Sequence, residues 1–212
     1  METFEIRADP YAVERSSPQA ASQGDNLYAE SCGAAQRRIR EALPYVERVT
    51  VRKAIPGTIA IQIQQSAPTF YVEAGGDGYI LSDKLKVLEK TAEGQSSPNL
   101  IHVYGMQMDG ATPGKLLQPD RDTDAEMLRE IYDSMAQNGI KSVKSIDLRD
   151  KNAVSFVYNE NIRVQLGSMS QLSYKLTFVR KVINDKISEN ERVIVDASQA
   201  GRVSVRPDRD AA

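Results

Sequence analysis

The side chains best suited to catalysis are scarce in this sequence, which has one histidine, His102, and one cysteine, Cys32. Zinc sites and Cys/His nucleophiles both need such residues close together, and these two lie far apart in the chain. His102 stands inside the apolar stretch LIHVYG, which is typical of a half-exposed strand histidine. No G-x-S-x-G turn is present to hold a serine nucleophile. The sequence therefore predicts no catalytic residues, no metal site and no cofactor.

Two other segments have the composition of ion-binding loops. The run Gly75–Gly78 leads into a strand pattern and lacks the G-x-x-x-x-G-K-[ST] spacing, so a turn is a better interpretation than a phosphate loop. The aspartates of DRDTD, residues 120–124, could bind calcium, but the rest of an EF-hand loop is missing and a helix start is the ordinary place for them. A hydrolase with two carboxylates distant in sequence stays open, because nothing marks such a pair.

Composition narrows the function classes further. The 212 residues are 41% hydrophobic and 26% charged, which is typical of a globular chain, and the length suits one large domain or, better, two small ones. A formal net charge of −2, no tryptophan and 6% aromatic residues argue against nucleic acid as the main partner. Cys32 is expected to be a small buried side chain, with a nucleophile as the alternative. No apolar run could span a bilayer, so we expect either a cytosolic protein or an ectodomain separated from its anchor.

The elements that position these residues begin with a small α+β unit over residues 1–67. TFEIRAD, residues 3–9, alternates like a short strand, and a helix starts at the SSP segment and ends at Gly24. A second helix, CGAAQRRIREALP, has one apolar face made of Ala35, Ile39 and Leu43. The expected order is strand, helix, helix, strand, strand.

Residues 42–68, ALPYVERVTVRKAIPGTIAIQIQQSAP, predict an antiparallel hairpin with one buried face. The turn IPGT, residues 55–58, has the proline and glycine of a type II turn. The helix before the hairpin is the natural cover for its apolar face, and SAP, residues 66–68, is the expected hinge. The residues of period two that form this face are Val49, Val51, Ile59, Ile61 and Ile63.

Strands dominate from residue 68 onward. Strand patterns broken by turns lead to a helix from about Thr123 to Asn138, and the strands AVSFVY and IRVQL form a hairpin through Asn159–Asn161. A last helix, SMSQLSYKLTFVRKVINDKI, precedes VIVDAS and GRVSVR. Its predicted buried residues are Leu172, Leu176, Val179 and Ile183, and its predicted polar-face residues are Lys175, Arg180, Lys181 and Lys186. The pattern is that of an α+β fold with an open, mostly antiparallel sheet.

GRVSVR, residues 201–206, is the segment where we expect a function. It is a short final strand with Val203 and Val205 in phase, and a final strand leaves an unpaired edge. Such an edge can bind a strand of another protein by β-augmentation, and an ordinary protected edge is the alternative.

With these patterns the chain resembles the extracytoplasmic part of the FtsQ/DivIB bacterial cell-division proteins. The helix followed by LPYVERVTV and PGTIAIQIQQSAP is similar to the second half of their POTRA domain. YILSDKLKVL, PNLIHVYG and PGKLL are similar to the start of the family's β-domain. Its later half is similar to IDLRDKNAVSFVYNENIRVQLG, LSYKLTFVRKVI and VIVDAS.

The resemblance implies a non-enzymatic scaffold of the division septum, anchored by a single membrane helix with this region outside. Residues 1–67 would form the POTRA domain, 68–207 the β-domain and 208–212 a frayed tail. FtsB/DivIC-like and FtsL-like partners would bind the C-terminal edge of the β-domain, and the POTRA domain would be a second protein-contact surface. The contact residues implied for this chain are Ser198, Gly201, Arg202, Val203, Ser204, Val205 and Arg206.

Some relatives anchor the partner with large aromatic residues, and Arg206 stands at such a place here. The alternatives are a POTRA-type polypeptide-binding module of a secretion or outer-membrane assembly system, and an envelope hydrolase.

Overall fold

The computed structural model describes residues 3–4, 32–54, 58–92, 94–95, 99–108, 111–117, 122–188 and 191–208. Several predicted features lie outside these residues: the strand beyond Phe4, the helix ending at Gly24, positions 55–57 of the IPGT turn, positions 120–121 of DRDTD, and the tail from 209 onward.

The first sheet is small and antiparallel. It contains β1 (Thr3–Phe4), β2 (Val46–Ala54) and β3 (Thr58–Gln65) in the order β1-β3-β2, and α1 (Cys32–Ala42) covers it. Ile39 of α1 packs against the buried valines of β2, with Ile61 and Ile63 beside them. The predicted apolar face of α1 is wrong at Leu43, which is 37% exposed because the helix ends at Ala42 and the chain then turns.

The second sheet has nine strands in the order β12-β11-β10-β9-β8-β7-β4-β5-β6. Five of its eight strand pairs are antiparallel and three are parallel, and the sheet is open, which confirms the predicted fold class. The strands are β4 (Pro68–Ala74), β5 (Asp77–Ser82), β6 (Val87–Ala92), β7 (Ile101–Tyr104), β8 (Val143–Asp147), β9 (Val154–Tyr158), β10 (Ile162–Gly167), β11 (Val193–Asp196) and β12 (Ser204–Pro207).

Two helices cross over between parallel strands of this sheet. The helix α2 (Asp122–Gln137) joins β7 to β8, and α3 (Leu172–Lys186) joins β10 to β11. Parallel neighbours need such a connection, and right-handed crossovers that step in the same direction bring both helices to one face. The two helices contact each other there, above a single apolar core. All four residues predicted for the buried face of α3 are buried.

The β9–β10 hairpin confirms the turn predicted at Asn159–Asn161. Asn159 and Glu160 both have positive φ, at 57° and 86°, the backbone combination of a tight hairpin turn that matches strand twist.

Lys175 contradicts its predicted place on the polar face of α3. Its side chain is 2% exposed, and its Nζ donates hydrogen bonds to the carbonyls of Leu166 (2.9 Å) and Ser168 (2.8 Å). The long aliphatic stem carries the ammonium from the helix to these carbonyls at the end of β10. Burial lowers the pKa of Lys175. The other three predicted polar-face residues, Arg180, Lys181 and Lys186, are exposed.

Candidate partner-binding edge

The nine-stranded sheet has two edges, β6 and β12, and they differ in cover. Along β6, Val87 donates its N–H to the carbonyl of Lys115 (2.9 Å) and accepts a hydrogen bond from the N–H of Gly114 (2.8 Å). The start of β6 is therefore covered by residues 114–117. Among the described residues, no corresponding segment pairs with the outer side of β12. Of the two edges, β12 is therefore the one without such a cover in the described part of the chain.

The hydrogen-bond pattern shows which β12 backbone groups point outward. β11 and β12 pair antiparallel with Ile194 opposite Arg206 and Asp196 opposite Ser204, and in the same register Asp208 donates its N–H to the carbonyl of Arg192 (3.1 Å). Hydrogen-bonded and non-hydrogen-bonded pairs alternate along an antiparallel ladder. The N–H groups of Ser204 and Arg206 therefore point toward β11.

The N–H and carbonyl of Val205 consequently point away from the sheet. The pairing of β11 with β10, on its other side, supports this orientation. Val193 and Ala197 donate their N–H groups toward β10, so the alternate residues Ile194 and Asp196 face β12. Pro207 takes the next outward position and has no N–H to offer. Within β12, Val205 is thus the single residue that presents both an outward donor and an outward acceptor.

The two faces of β12 differ in chemistry. Val205 is directly opposite the fully buried Val195, so its side chain lies on the helix-covered face, where it is still 43% exposed. Arg206 lies on the other face, as does Ser204. The N–H of Ser198, and to a smaller extent the charge of Arg206, hold the pKa of Asp196 below its usual value.

The structure places only three of the seven residues of the implied contact set within β12. Ser204, Val205 and Arg206 belong to the strand, whereas the predicted strand start at Gly201 is three residues too early. Gly201 has φ +81° and forms part of a turn closed by the N–H of Arg202 and the carbonyl of Gln199 (3.2 Å), a conformation that a strand does not allow.

The remaining residues of the set lie in or beside that turn. Val203 is half-buried and packs against the core. Ser198 donates its N–H to Oδ1 of Asp196 (2.9 Å), and it lies against Gly167.

An aromatic pair on α3, missed by the sequence reasoning, lies next to this turn. The rings of Tyr174 and Phe178 are 4.8 Å apart in an edge-to-face arrangement, and Tyr174 is 50% exposed. Its Oη is 3.9 Å from the position that a Cβ on Gly201 would occupy. The i, i+4 spacing of two aromatic residues on one helix was the signal available in the sequence.

The residues considered for chemistry are not brought together. Asp124, from the candidate calcium segment, is buried and forms an ion pair with Lys151 (3.0 Å). His102 is half-buried and makes an edge-on contact with Tyr71, their ring centroids 5.1 Å apart. In the described part of the chain, no three His, Cys, Asp or Glu side chains are grouped to hold a metal ion. None of the three described helices combines the length and apolar character needed to cross a bilayer.

Comparison with known proteins identifies similarity to one family. Residues 70–198 match the family described as "Cell division protein FtsQ/DivIB, C-terminal", a range that ends just before β12. The "Cell division protein DivIB" of Clostridium botulinum strain Hall is 26% identical over 161 residues, which cover 74% of this chain. The protein of that name from Clostridium acetobutylicum is 26% identical over 159 residues. The chain spans about 62% of the length of each of these relatives.

Proposed function

Because the chain belongs to the FtsQ/DivIB family of cell division proteins, we propose that it acts as a non-enzymatic scaffold of the division machinery. In this proposal β12 binds the extracytoplasmic segments of FtsB/DivIC-like and FtsL-like partners at the septum. Residues 1–67 form a POTRA domain that provides a second protein-contact surface, and residues 68–207 form the β-domain. The full protein is anchored in the cell membrane by one helix, with this region on the outer side.

The observation that carries the proposal is the uncovered edge of β12. Val205 offers an outward N–H and carbonyl there, so a partner strand can extend the sheet by pairing with the backbone. The half-exposed side chain of Val205 and the aromatic ring of Tyr174 add apolar surface near the same edge. Tyrosine is one of the side chains enriched among the few residues that carry most of the binding energy of an interface. Tyr174 would therefore take the anchoring role that large aromatic residues have in some relatives.

The sheet order of the first unit supports the POTRA assignment. The order β1-β3-β2 follows a strand, helix, strand, strand sequence and leaves β2 at an edge. The alternative of a secretion or outer-membrane assembly module would share this first unit. The family match over 70–198 favours the division role instead, because that match lies in the second sheet.

A binding titration tests the proposal. The 212-residue chain is titrated calorimetrically with a peptide of the extracytoplasmic segment of the DivIC-like protein from the same organism. We expect saturable binding that is weakened in Val203→Asp and Val205→Pro and unchanged in Arg38→Glu, a charge change on the distant α1. Absence of binding at high micromolar peptide, or full binding by both Val203→Asp and Val205→Pro, contradicts it. Turnover of peptidoglycan that is lost on changing one carboxylate would support the envelope hydrolase instead.

A further inference from the structure

A cavity of about 280 Å³ lies where the first unit meets the nine-stranded sheet. Arg40, Glu47 and Ser66 line it from the first unit, and Ser82, Lys84 and Lys86 line it from the second. The two units also contact directly beside it, because Tyr45 Oη donates a hydrogen bond to Glu89 (2.8 Å). Residues of both units therefore form the walls of this cavity.

The charged groups of the cavity leave an excess of positive charge. Lys84 forms an ion pair with Glu47, so these two charges compensate each other. Lys86 donates a hydrogen bond from Nζ to the neutral carbonyl of Val46 (2.9 Å). Burial, and then the nearby charge of Arg40, lower the pKa of Lys86. Arg40 and Lys86 thus place two positive charges at the cavity.

Two buried serines line the same space. Ser66 is 4% exposed, and its Oγ has no hydrogen-bond partner among the described residues. Ser82 is 2% exposed, and its Oγ accepts hydrogen bonds from the N–H groups of Lys84 (3.2 Å) and Lys86 (3.1 Å). Those bonds use the lone pairs of Ser82 and leave its O–H able to donate. A buried hydroxyl without a partner is costly, and a ligand oxygen would satisfy it.

We propose that this junction cavity is a binding site for a phosphate-type oxyanion. Arg40 and Lys86 supply two positive charges, and the hydroxyls of Ser66 and Ser82 supply two further donors. A tetrahedral oxyanion presents acceptor oxygens in four directions and can meet donors from both units, whereas the acceptor sites of a carboxylate lie near one plane. Because the donors come from both units, the bound anion would hold the first unit against the second. This inference is independent of the partner-binding role proposed for β12.

The test measures binding of inorganic phosphate at constant ionic strength, with sodium chloride as the balancing salt. The parent chain is expected to show saturable binding, with backbone amide NMR shifts at Ser66, Ser82 and Lys86, and a melting temperature that rises with phosphate. Arg40→Gln and Lys86→Gln each remove a charge-assisted hydrogen bond, which corresponds to roughly 10- to 100-fold weaker binding. Arg37→Gln removes a positive charge at an exposed position of the same helix, outside the cavity, and should bind phosphate like the parent.

Ser66→Ala provides a variant that does not endanger folding. It removes a hydroxyl that has no described partner, so the melting temperature without phosphate should not fall, while the phosphate-dependent rise should shrink. The inference is overturned if phosphate does not saturate the parent by about 20 mM, a limit set by millimolar affinity. It is also overturned if Arg40→Gln and Lys86→Gln, shown to be folded by their melting curves, bind like Arg37→Gln.

Two further arms identify the source of the phosphate group. Vesicles of phosphatidylglycerol that capture the chain, are displaced by inorganic phosphate and are not matched by phosphatidylcholine vesicles indicate a lipid headgroup. Binding of inorganic phosphate and glycerol phosphate without vesicle capture indicates a soluble ligand. Loss of β12 binding in Val205→Pro should leave all of these measurements unchanged, which separates a failure here from a failure of the partner-binding proposal.

Discussion

Val205→Pro and Ser204→Pro place the same proline at adjacent positions of β12, and we expect different consequences from them. The N–H of Val205 points away from the sheet, so its loss removes no hydrogen bond between β12 and β11. The N–H of Ser204 points toward Asp196, so its loss removes an internal ladder bond. Pro207 already shows that the outward positions of this strand accept the proline backbone.

The magnitudes follow from which groups lose a partner. Val205→Pro leaves a carbonyl of the docked partner strand without a donor, which costs about 1–3 kcal/mol, or roughly 5- to 150-fold in Kd. The free energy of unfolding of Val205→Pro should differ from that of the parent by less than about 1 kcal/mol. The side chain of Val205 is already 43% exposed, and proline restricts the unfolded chain. Ser204→Pro should lower the free energy of unfolding by about 1–2 kcal/mol, because the ladder bond to Asp196 is lost.

Two measurements on each variant decide the matter. Urea unfolding gives the free energy of unfolding, and calorimetric titration with the DivIC-like peptide gives Kd. The reasoning is refuted if Val205→Pro binds as the parent does, or if it loses as much stability as Ser204→Pro. Either result would mean that the N–H and carbonyl of Val205 do not point outward to a pairing strand.

Three further predictions concern the aromatic pair, the buried lysine and one glycine. Tyr174→Ala should weaken peptide binding about tenfold, because it removes an interface anchor. Tyr104→Ala removes an exposed tyrosine on β7, five strands away from β12, and should leave binding unchanged. Equal effects of the two variants would contradict a local anchor. Because the pKa of Lys175 is lowered from 10.5, the folded chain releases this proton at a lower pH than the unfolded chain. In urea unfolding the stability of the parent relative to Lys175→Met should therefore rise as the pH is raised towards 10.5, and a constant difference would refute this. Gly105→Ala should lower the free energy of unfolding by at least about 3 kcal/mol, because the added Cβ would lie 2.5 Å from the backbone nitrogen of Arg149. Gly94→Ala, also at positive φ but in open space, should lower it by about 1 kcal/mol in the same assay. Similar losses would contradict the steric argument.

Local patterns of the chain predicted the elements that depend on nearby residues. The helix α3 has the four buried positions its spacing indicates, and the Asn159–Asn161 turn joins β9 to β10 as its composition indicates. The parallel pairing of β10 with β11 could not be predicted from the strands themselves, because period-two patterns carry no information on strand direction. Direction came only from the crossover through α3.

The candidate site shows the same division. Ser204, Val205 and Arg206 were correctly placed in the last strand, since β-branched alternation marks a strand wherever it lies in the sheet. The start at Gly201 was wrong because a glycine within a strand pattern can equally form a turn at positive φ. Tyr174 was missed because its proximity to that turn joins residues 27 positions apart in the chain.

The sequence by itself determined the family resemblance, the α+β class and the position of the final strand, because hydrophobic period and turn composition act over a few residues. The tertiary structure alone decided that the backbone N–H and carbonyl of Val205 point outward, that Lys175 is buried against the carbonyls at the end of β10, and that Arg40 and Lys86 share one cavity. Each of these depends on register or on contact between distant segments. Such contacts are fixed by the packing of the whole chain, and a local pattern does not contain them.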